Sequence, residues 1–149
     1  MTSYPAPTYT EQTLTFESDQ IHYTRGGIKW EVMMDWEDPL MSSSAAYVCE
    51  GGGDILEIGF GMGMSAGYMH SHSIDSHTII ENHPDIIPKA QAWASGKSNV
   101  TIITGSWYDV RDSLSTYDGI FSFRIYINVT PPQNSYFNQT TYYFPKKEF

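Results

Sequence analysis

Short apolar runs punctuate the chain at residues 55–58 (Ile-Leu-Glu-Ile), 78–81 (Thr-Ile-Ile-Glu), 100–104 (Val-Thr-Ile-Ile-Thr) and 119–123 (Gly-Ile-Phe-Ser-Phe). They are rich in β-branched side chains and lack the strict alternation of a half-exposed strand, so they read as buried strands. Helical stretches fall between them: a small-residue start at Ser65-Ala66-Gly67, residues 84–93 ending near Gly96, and a short helix over 112–115. Strand and helix in alternation predict an α/β architecture. Upstream, residues 1–20 are polar and turn-rich, with a short strand at 13–16. Residues 21–31 carry Gly26-Gly27 and suit either a lid over a ligand or a surface turn. Residues 32–49 read as a helical region broken by Pro39, with Asp38-Pro39 opening its second helix. Downstream, 117–127 holds the fourth strand, and 136–144 can add one more. This divides the chain into an arm (1–31), a core (32–127) and an aromatic tail (128–149).

The chemistry concentrates after the first core strand, where Gly59, Gly61 and Gly63 follow in quick succession. Glycines there let the backbone turn sharply and approach a ligand closely. A dinucleotide fingerprint places its third glycine where this chain has Met64. Glu57, just before the loop, is a poor neighbour for a pyrophosphate and a good one for a cationic ligand end, such as an amino group or sulfonium. Glu81 ends the second strand about 24 residues beyond Glu57, close to the spacing at which an acid reaches ribose hydroxyls. Trp107 and Ser106, after the third strand, can stack on and hydrogen-bond a purine; a core Trp is the plainer alternative. Met33 and Met41 are either core filler or walls around a methionine-like ligand.

Leu56-Glu-Ile-Gly-Phe-Gly-Met-Gly63 resembles the first motif of class I S-adenosylmethionine-dependent methyltransferases. Four more segments resemble the guanidinoacetate and arginine N-methyltransferase branch, in that branch's order: Val32-Met-Met-Asp-Trp-Glu-Asp-Pro-Leu-Met41, His77-Thr-Ile-Ile-Glu-Asn82, Gly105-Ser-Trp-Tyr-Asp109 and Tyr117-Asp-Gly-Ile-Phe121. The resemblance covers roughly residues 28–121. It implies a Rossmann-like class I methyltransferase sheet and S-adenosyl-L-methionine as cofactor. It also implies cofactor contacts from Met33, Met41, Glu57, Gly59, Phe60, Gly61, Met62, Gly63, Glu81, Asn82, Ser106 and Trp107. In the family, the segment around Glu37 lies over the active site and its acid contacts the acceptor's guanidino group, so Glu37 is the expected catalytic residue. From composition alone, Asp35, Glu37 and Asp38 would be solvated helix-end acids.

Beyond residue 121 the chain departs from that pattern. The family's substrate-holding Asp falls on Phe123, followed by Arg124. A full-length member continues to a seven-stranded sheet, so the expectation for this chain is a sheet shortened after the fourth strand. That leaves a strand edge which must be paired by the tail or by a second chain. The expectation is a homo-oligomer through the C-terminal edge.

Composition narrows the partners. A net charge of −9 over 149 residues argues against nucleic acid, which demands clustered Lys and Arg. It suits a cationic small-molecule acceptor. The lone Cys49 excludes an intrachain disulfide, and no stretch could span a bilayer, so a cytoplasmic protein without membrane contact is expected. His70, His72, His77 and His83 invite a metal site, yet His70-x-His72 lies at a helix end with no Cys or acid partner at ligand spacing, so no metal is expected. Methyl transfer to a small amino or guanidino acceptor therefore leads. The rivals are a lyase or hydrolase that degrades S-adenosylmethionine, and a non-catalytic cofactor-binding remnant.

Overall fold

The structure, a computed structural model, describes residues 9–127 and 137–141, with side chains over residues 9–122. Strands β4 (Asp54–Ile58), β5 (Ser76–Glu81), β6 (Val100–Thr104) and β7 (Gly119–Ile127) form a parallel sheet in the order β6-β5-β4-β7. Their registers are regular: Leu56 lies opposite Thr78 on one side and Ile120 on the other. The chain steps from β4 to β5 and β6 in one direction, then returns to place β7 against the far side of β4. That reversal makes the carboxyl end of β4 the topological switch point, where ligands bind in open α/β sheets.

The tail strand, β8 (Phe137–Thr141), runs antiparallel to β7, with Phe123 opposite Thr141. Of the two ways to pair the β7 edge, the chain uses its own tail, and β8 becomes the edge strand of the described sheet.

The N-terminal region departs from expectation. Residues 32–34 are not helical. They close β3 (Ile28–Met34), which pairs with β2 (Gln20–Arg25) and, through it, with β1 (Thr15–Phe16). The Gly26-Gly27 pair is the two-residue hairpin turn between β2 and β3, with Arg25 opposite Ile28. The turn folds this segment back onto β2, setting Met33 opposite Ile21 and Met34 opposite Gln20, with the register shifting at Val32. The 31/32 boundary thus falls inside β3. Pro39 breaks nothing: it sits in the first turn of α1 (Asp38–Cys49), where its missing N–H costs no hydrogen bond. Helices α2 (Met64–His70), α3 (Ile87–Ala94) and the short α4 (Trp107–Val110) follow β4, β5 and β6. The helical turn after α4 covers Arg111–Ser113, slightly ahead of the expected 112–115.

Two buried clusters knit these parts together. Leu14, just ahead of β1, and Ile21 of β2 pack with Phe60, Ala66, Ile79, Ile86 and Ala90. Met33 packs with Met41, Ala45, Cys49, Ile55, Met69 and Phe121. At the crossing of α1 and β7, Gly119 leaves no room for a side chain: a Cβ there would lie 2.6 Å from the Val48 carbonyl oxygen and 2.9 Å from Ile55 Cδ1. Since backbone cannot give way cheaply, Gly119→Ala is expected to cost about 1–3 kcal/mol, read as a lower urea midpoint at unchanged slope.

Candidate functional site

The loop at residues 59–63 leaves β4 with Gly59 still bonded across the sheet, its N–H donating to the Ile80 carbonyl at 2.8 Å. Gly59 has φ +90°, and a Cβ there would meet nothing within 4 Å. Protein packing does not require the glycine; a left-handed backbone beside open space does, which is the form of a cradle a ligand can approach. Gly61 is constrained from the other side. Its absent Cβ would lie 2.5 Å from the Met33 sulfur, which also accepts the Met62 N–H at 3.1 Å. Met33 therefore reaches the loop from β3. Met41, fully buried, belongs to the core beneath it. The Phe60 ring also turns inward, 5.7 Å from Trp93, so Phe60 offers the site its backbone alone.

Glu81 holds the loop at the next strand end. Its Oε2 accepts the Phe60 N–H at 2.8 Å, and its Oε1 accepts the N–H groups of Asn82 and His83 at 2.9 Å each. A carboxylate has about four acceptor positions, so capacity remains for a ligand hydroxyl. Asn82 contributes its N–H, while its side chain is exposed.

Sequence reasoning missed the neighbours Tyr9 and His83. His83 Nε2–H donates to the carbonyls of Tyr9 and Gln12, 3.1 and 3.0 Å away, and its Nδ1 accepts the Asp85 N–H. Asp85 Oδ2 in turn accepts the Leu14 N–H at 2.9 Å. The arm is thereby pinned beside Glu81. Burial, then the charge of Glu81, pushes the Tyr9 phenol above its ordinary range. No local pattern signals pairs more than 70 residues apart.

Glu57 is directed elsewhere than the open face. The Ser65 hydroxyl donates to its Oε1, and His77 Nε2 lies 2.9 Å from its Oε2, with all three side chains buried. His77 Nδ1 is buried without a hydrogen-bond partner, so the ring's one side-chain bond is the Nε2 contact with Glu57. Ser, Glu and His are hydrolase residue types, but here the carboxylate sits in the middle. Ser65 gives its hydrogen bond to Glu57 rather than to the imidazole, so this trio activates no nucleophile. Among the described residues, no group of three His, Cys, Asp or Glu side chains could hold a metal ion.

Glu37 lies in the turn Asp35–Glu37 that joins β3 to α1. The three local acids have different fates. Asp35 is exposed, and Asp38 accepts the Tyr68 hydroxyl hydrogen bond at 2.8 Å. Glu37 is fully buried, its Oε1 accepting the Met34 N–H at 3.0 Å and its Oε2 left without a hydrogen bond. Burial pushes its carboxyl up to about 7; the Met34 N–H opposes the shift and the charge of Glu31 adds to it. A buried acceptor without a donor is costly, so this oxygen is poised for a cation or N–H group.

At the end of β6, the Gly105 N–H donates to the Glu81 carbonyl at 3.0 Å. Ser106 caps α4 by accepting the Asp109 N–H while its hydroxyl donates to the Asp109 carboxylate. The Ser106-x-x-Asp109 spacing is a helix-start signal that sequence reasoning passed over. Trp107 is 36% exposed, so it is no core residue. Phe123 lies on β7, and its side chain is outside those described.

A parallel sheet with a glycine loop after β4, a loop-anchoring acid ending β5 and an exposed Trp after β6 defines a Rossmann-like domain of the class I methyltransferase type. A sequence profile of the guanidinoacetate N-methyltransferase family matches residues 6–144, and the chain belongs to that family. Proteins named protein arginine N-methyltransferase 2 are similar to it. The one from Aspergillus fumigatus is 34% identical over 121 residues, covering 76% of this chain and 27% of its own length. Those from Yarrowia lipolytica and Kluyveromyces lactis are 34% and 36% identical over 102 and 101 residues, covering 60% and 64% of this chain. The chain spans only about a quarter of the length of these curated relatives.

Proposed function

We propose that this chain forms the donor-binding and catalytic part of an N-methyltransferase that uses S-adenosyl-L-methionine and acts on a small acceptor bearing a guanidino or amino nitrogen. The observation that carries this reading is the buried, unpartnered Oε2 of Glu37, held on the segment whose Met33 touches the glycine loop. The names of the family and of the similar proteins point to guanidinoacetate and to arginine, which share a guanidino group. The open face at Gly59 supports the cofactor's fit. The backbone of residues 59–63 would hold its amino-acid end, Glu81 and Asn82 its ribose, and Ser106 and Trp107 its adenine, with Met33 as a wall. When bound, the cofactor supplies a methyl group on a sulfonium that is its own leaving group. Catalysis is then largely positioning. Glu37 accepts a hydrogen bond from the acceptor nitrogen, orients it, and takes up its proton.

The test is incubation of the protein with S-adenosylmethionine, alone and with guanidinoacetate, arginine or simple amines, followed by mass spectrometry. Methylated product and S-adenosylhomocysteine should appear only when an acceptor is present. Consumption of the donor alone would replace this reading with donor degradation. Binding without turnover across the acceptor panel would replace it with a cofactor-binding role.

A further inference from the structure

Residues 57 and 65 flank the glycine loop, one before it on β4 and one after it in the first turn of α2. The Ser65 hydroxyl donates directly to Glu57, so a side-chain bond closes the base of the loop. A third leg runs from Glu57 to His77 at the start of β5, the strand whose far end carries Glu81. All three side chains are at most 3% exposed, and both carboxylate oxygens are taken. A carboxylate is buried this deeply only where its hydrogen bonds are satisfied, and away from water those bonds resist rearrangement. The loop's remaining ties are sparse: Gly59 to Ile80, Phe60 to Glu81, Met62 to Met33, Gly63 to Phe60, and Gly67 to Gly63.

We infer that Ser65, Glu57 and His77 form a positioning brace that holds residues 59–63 in their donor-receiving shape, so that Ser65 sets donor affinity without touching the donor. This rests on the loop's being the donor-binding loop, and it departs from the expectation that Glu57 meets a cationic ligand end by its charge. The brace needs the hydrogen bonds of residue 57. A charge contact needs the negative charge.

The experiment compares wild type, Ser65→Ala and Glu57→Gln by hydrogen exchange of the ligand-free protein and by calorimetric titration with S-adenosylhomocysteine. Ser65→Ala should speed exchange of amides 59–63 by about tenfold, leave β5 and β6 as in wild type, and weaken binding by about tenfold. In Glu57→Gln the amide oxygen still accepts from His77 and the amide NH2 donates to a Ser65 hydroxyl turned to accept, so the variant should stay within about twofold of wild type in both measurements. Unchanged loop exchange in Ser65→Ala overturns the brace. So does a Glu57→Gln protein that loses affinity with a quiet loop, because the charge would then be acting on the ligand. If wild type binds no S-adenosylhomocysteine, the functional reading falls, and loop exchange alone still decides the brace. Should Ser65→Ala fail to fold, Ser65→Cys keeps the volume with a weaker donor and is judged by the same exchange criterion.

Discussion

Replacing Glu37 with Gln should leave donor binding intact and lower methyl transfer at least about 100-fold. The substitution preserves volume, and the Gln carbonyl oxygen can still accept the Met34 N–H. The second oxygen becomes an NH2 group facing the acceptor's N–H donors, which reverses a hydrogen bond and removes the proton acceptor. Donor affinity by calorimetry and turnover by mass spectrometry separate the two effects; equal turnover would remove Glu37 from the mechanism. Two pH dependences follow from a carboxyl pushed up to about 7 from its ordinary 4.5. Turnover should rise as pH passes through about 7, because the ionised form accepts the proton. Stability should move the other way. Between about 4.5 and 7 the folded chain holds a proton the unfolded chain has released, so folding weakens as pH rises through that window. In Glu37→Gln that contribution disappears, and thermal midpoints measured from pH 4 to 8 should show a flatter profile.

Glu81→Ala should cost more than a ribose contact. It releases three backbone N–H groups, including that of Phe60 inside the loop. Hydrogen bonds to a charged group contribute roughly 1.5–3 kcal/mol each, so losing the Phe60 tie together with a ligand contact should weaken donor binding at least about 100-fold. Stability should fall as well, since a buried donor left unsatisfied costs about 1–3 kcal/mol. Titration with S-adenosylhomocysteine tests the first effect and urea unfolding the second. Donor affinity within a few-fold of wild type would displace Glu81 from the site.

The two carboxylates differ in how plainly the chain announces them. Glu81 stands at the end of an apolar strand, at a spacing that strand length and the glycine loop impose, so its place beside the loop was readable. Glu37 sits among three acids of similar local appearance. The resemblance to known methyltransferases singled it out; only burial distinguishes it physically from Asp35 and Asp38. Residues 32–34 were misread because a short apolar stretch has no decisive period, and a hairpin partner settled the matter.

By itself the sequence determined the parallel sheet, the glycine loop and the strand-end position of Glu81. Buried parallel strands must be continuous apolar runs, and sharp turns beside a ligand must be glycine, so local composition carries both. β6 spans residues 100–104, as its β-branched run predicts, but it is an edge strand of the described sheet and only half-buried to exposed, not the buried strand expected. Tertiary structure alone decided what each side chain spends itself on. Glu57 faces Ser65 and His77 instead of the open loop, Phe60 turns inward, and Tyr9 arrives beside Glu81 from across the chain. A buried charged or polar group must find partners wherever packing delivers them. Those partners lie on other elements, often tens of residues away, where no local period or spacing can point.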